Sequence, residues 1–92
     1  MIKSFRDKGL RRFAENGDAS KFRVQRPDKI ARVLALLDEA ATPAELNVPG
    51  LRLHELTGDR RGTWSLTITG NWRITFGWEG ADAIDVDLED YH

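Results

Sequence analysis

The chain has 92 residues, no cysteine, and nearly balanced charge, with 14 Lys/Arg against 15 Asp/Glu. This length predicts a single domain over residues 1–92 that is large enough to fold alone. The lack of cysteine excludes a disulfide framework and a thiolate zinc site, and it fits a reducing compartment. No apolar run near the N-terminus is long enough for a signal peptide or a membrane span, so we expect a cytoplasmic protein.

The charges are unevenly distributed along the chain. Residues 1–32 hold ten Lys/Arg and four Asp/Glu, whereas residues 33–92 hold four and eleven. A basic segment of this kind can follow a phosphate backbone, but it is equally typical of a solvated helical surface. Charge alone therefore leaves both interpretations open.

The first third of the chain predicts a strand and a helix. Residues 1–5 are expected to form a short edge strand, protected from further pairing by Lys3 and Arg6. Residues 8–16 have the spacing of an amphipathic helix, and Gly17 suits the left-handed position that follows a helix. Residues 18–26 are polar and predict no element.

A second helix is predicted over residues 27–40, with Pro27 in its first turn. Its apolar residues recur at helical spacing: Ile30, Val33, Leu34, Leu37 and Ala41. Thr42 and Glu45 have the spacing of a capping box. We expect one further helical turn there, carrying Leu46 into the core.

Alternating apolar and polar residues predict four strands, over residues 51–56, 64–68, 72–78 and 84–88. The apolar residues of the last three strands would share a buried face: Trp64, Leu66, Ile68, Trp72, Ile74, Phe76, Trp78, Ile84, Val86 and Leu88. Their polar residues would share an open face: Ser65, Thr67, Arg73, Thr75, Asp85 and Asp87. In the first of the four strands, Arg52, His54 and Leu56 would lie on one face.

The register of these strands follows from the requirement that paired residues share a face. A three-residue loop over residues 69–71 pairs Ile68 with Trp72, whereas a two-residue loop would place Ile68 opposite Arg73. For the next connection, a loop of three or five residues keeps the faces consistent. Arg73 would then lie opposite Asp87 or Glu89.

The predicted order is β-α-α-β-β-β-β. It indicates a two-layer α+β domain with two N-terminal helices packed on one face of an antiparallel sheet. The other face, or its rim, would then be open for function.

Two histidines are the main candidates for acid–base chemistry. His54 and His92 could serve as proton acceptor and donor near neutral pH. Cleavage of RNA by attack of a 2′-hydroxyl on the adjacent phosphate needs such a pair, and it needs no metal or cofactor. The alternative is a half-buried strand residue for His54 and a disordered terminal residue for His92.

Further polar residues could complete such a site. Arg73 could hold a phosphate, or it could form a salt bridge to Asp87 or Glu89. The C-terminal residues Asp90 and Tyr91 could orient an imidazole and stack on a base, or they could be a solvated carboxylate and a cover for the sheet edge.

Two weaker possibilities involve the loop arginines and a metal ion. Arg60 and Arg61 could clamp a nucleic-acid backbone, although surface loops are often merely basic. The two histidines with Asp90 could form a facial metal triad, but their spacing lacks the short His-x-x-His pattern, so we expect neither a metal nor a cofactor.

Taken together, three stretches resemble the HigB toxins of the RelE superfamily of bacterial toxin–antitoxin systems. They are residues 53–66, from Leu-His-Glu-Leu-Thr-Gly-Asp-Arg-Arg-Gly to Trp-Ser-Leu; residues 71–76, Asn-Trp-Arg-Ile-Thr-Phe; and the ending Asp-Tyr-His. Residues 1–5 and 8–10 also resemble that family, so the resemblance covers essentially the whole chain. Where relatives often carry a basic residue after the His54 segment, this chain has Thr57.

The resemblance implies a RelE-like microbial RNase fold and an endonuclease that cuts mRNA in the ribosomal A site, which halts translation. It also implies neutralisation by a HigA-type helix-turn-helix antitoxin, through which alone the complex would reach operator DNA. The family's active-site positions match His54, Arg73, Asp90, Tyr91 and His92. Contacts to RNA and the ribosome would come from basic side chains: Lys3, Arg6, Lys8, Arg11, Arg12, Arg60 and Arg61.

A second hypothesis is a non-catalytic member of the same fold that acts by binding. It could poison gyrase, or it could be a degenerate toxin that serves as antitoxin partner and corepressor. The Asp-Tyr-His ending argues against the gyrase-poisoning branch, which lacks a consistent acid–base set at its C-terminus.

Overall fold

The computed structural model describes residues 1–18 and 26–90, in which two helices accompany a four-stranded antiparallel sheet of order β1-β2-β3-β4. The elements are α1 (Lys8–Asn16), α2 (Pro27–Glu39), β1 (His54–Glu55), β2 (Trp64–Thr67), β3 (Trp72–Glu79) and β4 (Asp82–Asp90). Short 3-10 turns cover Pro43–Leu46 and Gly58–Arg60. The predicted α+β class is confirmed.

Helix α1 has the predicted bounds because both of its ends are capped locally. The Asp7 carboxylate accepts a hydrogen bond from the Leu10 N–H at 2.7 Å. At the other end Gly17 has φ 74° and donates its N–H to the Phe13 carbonyl at 2.8 Å. Leu10 is fully buried, so the helix is fixed to the core by its apolar face.

Helix α2 also follows the prediction, ending one residue earlier than expected. Pro27 lies in its first turn, and the four buried residues on its inner face are Ile30, Val33, Leu34 and Leu37. The capping box that follows is present, since Glu45 accepts from the Thr42 N–H at 3.1 Å. Leu46 is fully buried, as predicted. Residues 19–25 lie outside the described part of the chain.

The N-terminal segment lies along the outer edge of β4, where it makes two isolated parallel bridges. Ile2 pairs with Ala83, and Phe5 pairs with Val86. The predicted first strand is therefore reduced to two bridges. The segment still covers the backbone edge that β4 would otherwise expose.

The predicted register of β2 and β3 is confirmed. Leu66 lies opposite Ile74, and Trp64 lies opposite Phe76. Beyond the last ladder pair, Ile68 donates its N–H to the Trp72 carbonyl at 2.9 Å. Leu66, Ile74 and Phe76 are fully buried against the helices.

The connection between β3 and β4 differs from the prediction. Glu79 pairs with Asp82, so the turn has two residues rather than three or five. A β-bulge corrects the register further along, because Asp85 and Val86 together stand opposite Phe76. Asp85 has φ 52° within this bulge. Beyond it Arg73 lies opposite Glu89, one of the two predicted partners.

The bulge also moves one predicted core residue to the other face. Ile84 lies opposite Gly77, on the face of Thr75, so its predicted place on the buried face was wrong. A Cβ added to Gly77 would lie 3.1 Å from the Ile84 Cγ1, which shows how closely Ile84 covers this glycine. Ala83, opposite Trp78, is fully buried instead. The extra residue in the bulge reverses the alternation of faces.

The predicted strand over residues 51–56 is limited to His54–Glu55. Arg52 has φ 51°, a left-handed conformation that cannot continue a strand. Leu51 is nevertheless buried, so the segment still contributes to the core.

Candidate functional site

The candidate site lies on the sheet face turned away from the core. One row across the four strands pairs His54 with Ser65, Ser65 with Thr75, and Thr75 with Asp87. The neighbouring row pairs Thr67 with Arg73, and Arg73 with Glu89. His54 and Arg73 thus share a face. They are two strands apart and in neighbouring rows, so their Cα atoms are roughly 12 Å apart at the usual strand spacing and rise per residue. An imidazole and a guanidinium at that separation can reach one phosphodiester between them.

Glu89 is the centre of a charged network on this face. Its carboxylate accepts two hydrogen bonds from Arg60, at 2.8 and 2.5 Å, and one from the Thr75 hydroxyl. Arg73 Nη2 lies 3.4 Å from the same carboxylate. The alternative interpretation of Arg73, a salt bridge to Glu89, is therefore realised in the structure. The same carboxylate remains close to any phosphate that Arg73 would bind.

These contacts determine the charge of Glu89. The hydrogen bonds from Arg60, followed by those from Thr75 and the nearby guanidinium charges, lower the pKa of Glu89 to about 2, although partial burial opposes the shift. Glu89 is therefore ionised at neutral pH and cannot act there as a general acid. It is suited to holding the two arginines in place.

Part of the predicted open face is closed. Ser65 is fully buried and Thr75 is 2 % exposed, although both were expected to face solvent. The Arg60 side chain comes from the loop after β1 and reaches Glu89 on β4, so it crosses the face beside them. Within the described residues, the Ser65 hydroxyl has no hydrogen-bond partner.

His54 is exposed at the edge strand and lines a groove beside it. Its Nδ1 lies 3.1 Å from the Arg52 carbonyl oxygen. The groove is lined by Lys29, Arg52, His54, Thr67, Ile68, Thr69 and Gly70. Lys29 is fixed at its wall, since its ammonium group donates to the Ile68 carbonyl at 2.9 Å. The imidazole therefore has space for a ligand and two cations next to that space.

The structure does not place Asp90 with His54 and Arg73. Asp90 lies opposite Trp72, so its side chain leaves the sheet on the face of Trp72. This follows from strand alternation, because Glu89 is on the site face and the next residue must be on the other. Tyr91 and His92 lie outside the described residues.

The cations predicted to contact RNA or the ribosome fall into separate groups. Arg60 belongs to the Glu89 network, and Arg61 is exposed in the adjoining turn. Lys3 donates a hydrogen bond to the Glu79 carboxylate at 2.7 Å, and this bond raises the pKa of Lys3. Arg6 lies 3.9 Å from Asp85. Both pairs are at the β4 edge, on the opposite side of the sheet from β1.

The other cations that were predicted to contact RNA or the ribosome are on α1. Lys8, Arg11 and Arg12 are exposed there. The fold therefore places one basic surface near the candidate site and another along the N-terminal part of the chain.

The sequence did not predict three features of the site: the contact of Arg60 with Glu89, the burial of Thr75, and the left-handed backbone conformation of Arg52. The register argument limited the partner of Arg73 to Asp87 or Glu89, because pairing within a hairpin is local, but it did not choose between them. Arg60 and Glu89 are 29 residues apart, and no sequence pattern connects them.

Residues 1–18 and 26–90 present neither a metal cluster nor a membrane-spanning helix. No group of three His, Cys, Asp or Glu side chains in these ranges is arranged to hold a metal ion. No helix in this part of the chain is both long and apolar enough to cross a membrane.

Comparison with known proteins identifies the family. The model of the RelE-like toxin of type II toxin–antitoxin system HigB matches residues 3–92. Endoribonuclease HigB of Proteus vulgaris is 46 % identical over 92 residues, which is the whole length of both chains. Toxin HigB-1 of Vibrio cholerae is 28 % identical over 91 residues, which cover 97 % of this chain and 96 % of the other. The chain therefore belongs to the HigB family of RelE-like toxins of type II toxin–antitoxin systems.

Proposed function

We propose that this toxin is a ribosome-dependent endoribonuclease that cleaves mRNA in the ribosomal A site and so inhibits translation. The observation that carries the proposal is the common sheet face of His54 and Arg73, with a groove beside the imidazole. The 46 % identity to a protein named Endoribonuclease HigB supports the same activity.

The proposed reaction needs a proton acceptor, a proton donor and a cation. One imidazole, from His54 or His92, removes the proton of the 2′-hydroxyl, and the 2′-oxygen forms a bond to the adjacent phosphorus. The bond from phosphorus to the 5′-oxygen breaks, and the other imidazole gives that oxygen a proton. The products are a 2′,3′-cyclic phosphate and a 5′-hydroxyl, and no metal takes part.

Arg73 is the proposed phosphate ligand. Its side chain is 17 % exposed and its Nη2 lies 3.4 Å from the Glu89 carboxylate, so the guanidinium is held in one orientation before the RNA arrives. A cation fixed in this way stabilises the negative charge that develops on the phosphate during the attack. In the same proposal Tyr91 positions the RNA. Asp90 lies on the face of Trp72, so the imidazole that it would orient is that of His92 and not that of His54.

The proposed partners follow from the family. A type II toxin is paired with an antitoxin, and we infer one of the HigA type with a helix-turn-helix domain, through which operator DNA would be contacted. The exposed cations of α1, with Arg60, Arg61, Lys3 and Arg6, would contact the ribosome and its bound mRNA.

A 2′-deoxy substitution in the mRNA tests the chemistry directly. Ribosomes are programmed with an mRNA whose A-site codon carries 2′-deoxynucleotides, or with the matched all-ribose mRNA. We expect cleavage only of the ribose form, with cyclic phosphate ends. Equal cleavage of both would indicate hydrolysis by an activated water and contradict the proposal. No cleavage of either, by a protein that still arrests growth, would favour the non-catalytic alternative.

A further inference from the structure

The backbone of Arg52 has an unusual conformation beside the candidate site. Its φ of 51° lies in the left-handed region, which among the described non-glycine residues is shared only by Asp85. Arginine has no intrinsic preference for this region, because its Cβ approaches the following carbonyl oxygen there. A conformation of this kind persists only where the surrounding structure holds it.

Contacts on both sides hold the backbone of Arg52 in place. The preceding carbonyl, of Leu51, accepts a hydrogen bond from the Thr67 N–H at 2.7 Å. Leu51 itself is buried in the core. Two residues after Arg52, His54 is paired with Ser65 on β2. The left-handed residue therefore redirects the chain between two points that are fixed to the same strand.

The carbonyl group of Arg52 lies beside His54, the candidate general base. The Arg52 oxygen lies 3.1 Å from His54 Nδ1. A carbonyl oxygen can only accept a hydrogen bond, so this contact requires a proton on Nδ1. In a neutral imidazole the other nitrogen, Nε2, then carries the lone pair.

We propose that Arg52 is a positioning residue whose left-handed backbone holds His54 in the Nδ1–H tautomer, so that Nε2 is the atom that accepts the proton of the 2′-hydroxyl. This inference rests on the proposed function, in which an imidazole is the general base. The inference adds which histidine accepts the proton, which of its ring nitrogens does so, and which contact fixes the tautomer. Arg52 itself also lines the groove, so the effect of its side chain must be separated from that of its backbone.

Two substitutions make this separation. Arg52→Gly and Arg52→Val both remove the guanidinium, but glycine adopts positive φ readily whereas β-branched valine strongly disfavours it. The tautomer is read from the ring nitrogen shifts of ¹⁵N-histidine-labelled protein at alkaline pH, where the imidazoles are neutral. The chain has two histidines, so the spectrum of His54→Gln assigns the signals.

We expect the Nδ1–H tautomer in the wild type and in Arg52→Gly, and a shift toward Nε2–H in Arg52→Val. In the ribosome assay the kcat of Arg52→Val should fall about tenfold or more below that of Arg52→Gly, with little difference in KM. A purely structural role for Arg52 would not move the ring nitrogen shifts.

The wild-type spectrum alone can overturn the inference, so the outcome does not depend on whether Arg52→Val folds. An Nε2–H tautomer in the wild type contradicts it, as does a folded Arg52→Val with an unchanged tautomer and an unchanged kcat. Failure of the proposed function is distinguishable, because it would appear as an absence of mRNA cleavage by the wild type, whichever tautomer the spectrum shows.

Discussion

Arg60 and Glu89 form an ion pair with two hydrogen bonds, at 2.8 and 2.5 Å, that joins the loop after β1 to the last described strand. The pair crosses the sheet face on which His54 and Arg73 lie. It leaves Glu89 between two guanidinium groups, with the Thr75 hydroxyl as a third donor. The stability of the fold and the arrangement of the site therefore depend on the same carboxylate.

The first prediction concerns the acid stability that this carboxylate provides. The pKa of Glu89 is lowered from 4.5 to about 2, so its contribution is fully present above the unfolded-state pKa and is lost as the pH falls from about 4.5 toward 2. The shift corresponds to at most about 3 kcal/mol, and solvent around the partly exposed Arg60 reduces this value.

Urea unfolding between pH 7 and pH 3 measures the effect. We expect Glu89→Gln to lower the free energy of unfolding at pH 7 and to show a shallower decline toward pH 3 than the wild type. Glu39→Gln, at an exposed position on α2, is the matched control. Parallel pH profiles for Glu89→Gln and the wild type would mean that the ion pair contributes nothing measurable.

The second prediction separates the charge of Arg73 from its shape. Arg73→Gln removes the cation, and we expect the kcat of mRNA cleavage to fall by about 10²-fold or more, because the charge on the phosphate is no longer stabilised. Arg73→Lys keeps the charge but loses the two-pronged geometry, so it should recover only part of the activity. Single-turnover cleavage on ribosomes measures both. Full activity in a folded Arg73→Gln variant would show that Arg73 does not take part in cleavage.

The third prediction concerns the basic surface of α1. Arg11 and Arg12 are exposed there and are proposed to bind ribosomal phosphates. Replacing either by Gln should weaken ribosome binding and reduce the slope of log affinity against log salt by roughly 0.7–0.9 for each phosphate that is no longer neutralised. Binding measured over a range of KCl concentrations gives the slope. An unchanged slope would show that α1 faces away from the ribosome.

The fourth prediction tests the β-bulge. A Cβ at Gly77 would meet the Ile84 Cγ1 at 3.1 Å, so Gly77→Ala should destabilise the protein by about 1 kcal/mol. Ile84→Ala removes the opposing atoms, and the double variant should lose less stability than the two single variants together. Strict additivity in urea unfolding would contradict the placement of Ile84 over Gly77.

These residues also show what the sequence can predict. The bounds of α1 follow from its own caps, Asp7 and Gly17, and the pairing of Leu66 with Ile74 follows from alternation across one short loop. Such features depend on neighbouring residues, so local physical rules recover them.

Most of the features that were missed depend on interactions between distant parts of the chain. The bulge at Asp85 is the exception, because it lies within the β3–β4 hairpin. Gly77 on the facing strand is a sign of such a bulge, but it does not show where the extra residue of β4 is inserted, so the expected face of Ile84 was reversed. The ion pair of Arg60 with Glu89 and the left-handed backbone of Arg52 arise only when separate segments pack together. Sequence patterns of fixed spacing carry no signal for either.

The most direct test of the central claim is toeprinting of a defined mRNA on purified 70S ribosomes, with the wild type and with His54→Ala. His54 is exposed, so its replacement should leave the fold intact, and Glu39→Gln serves as the active control. The account predicts cuts confined to A-site codons, absent from naked RNA and abolished in His54→Ala. Cuts of equal strength in naked RNA, or in folded His54→Ala, would contradict it.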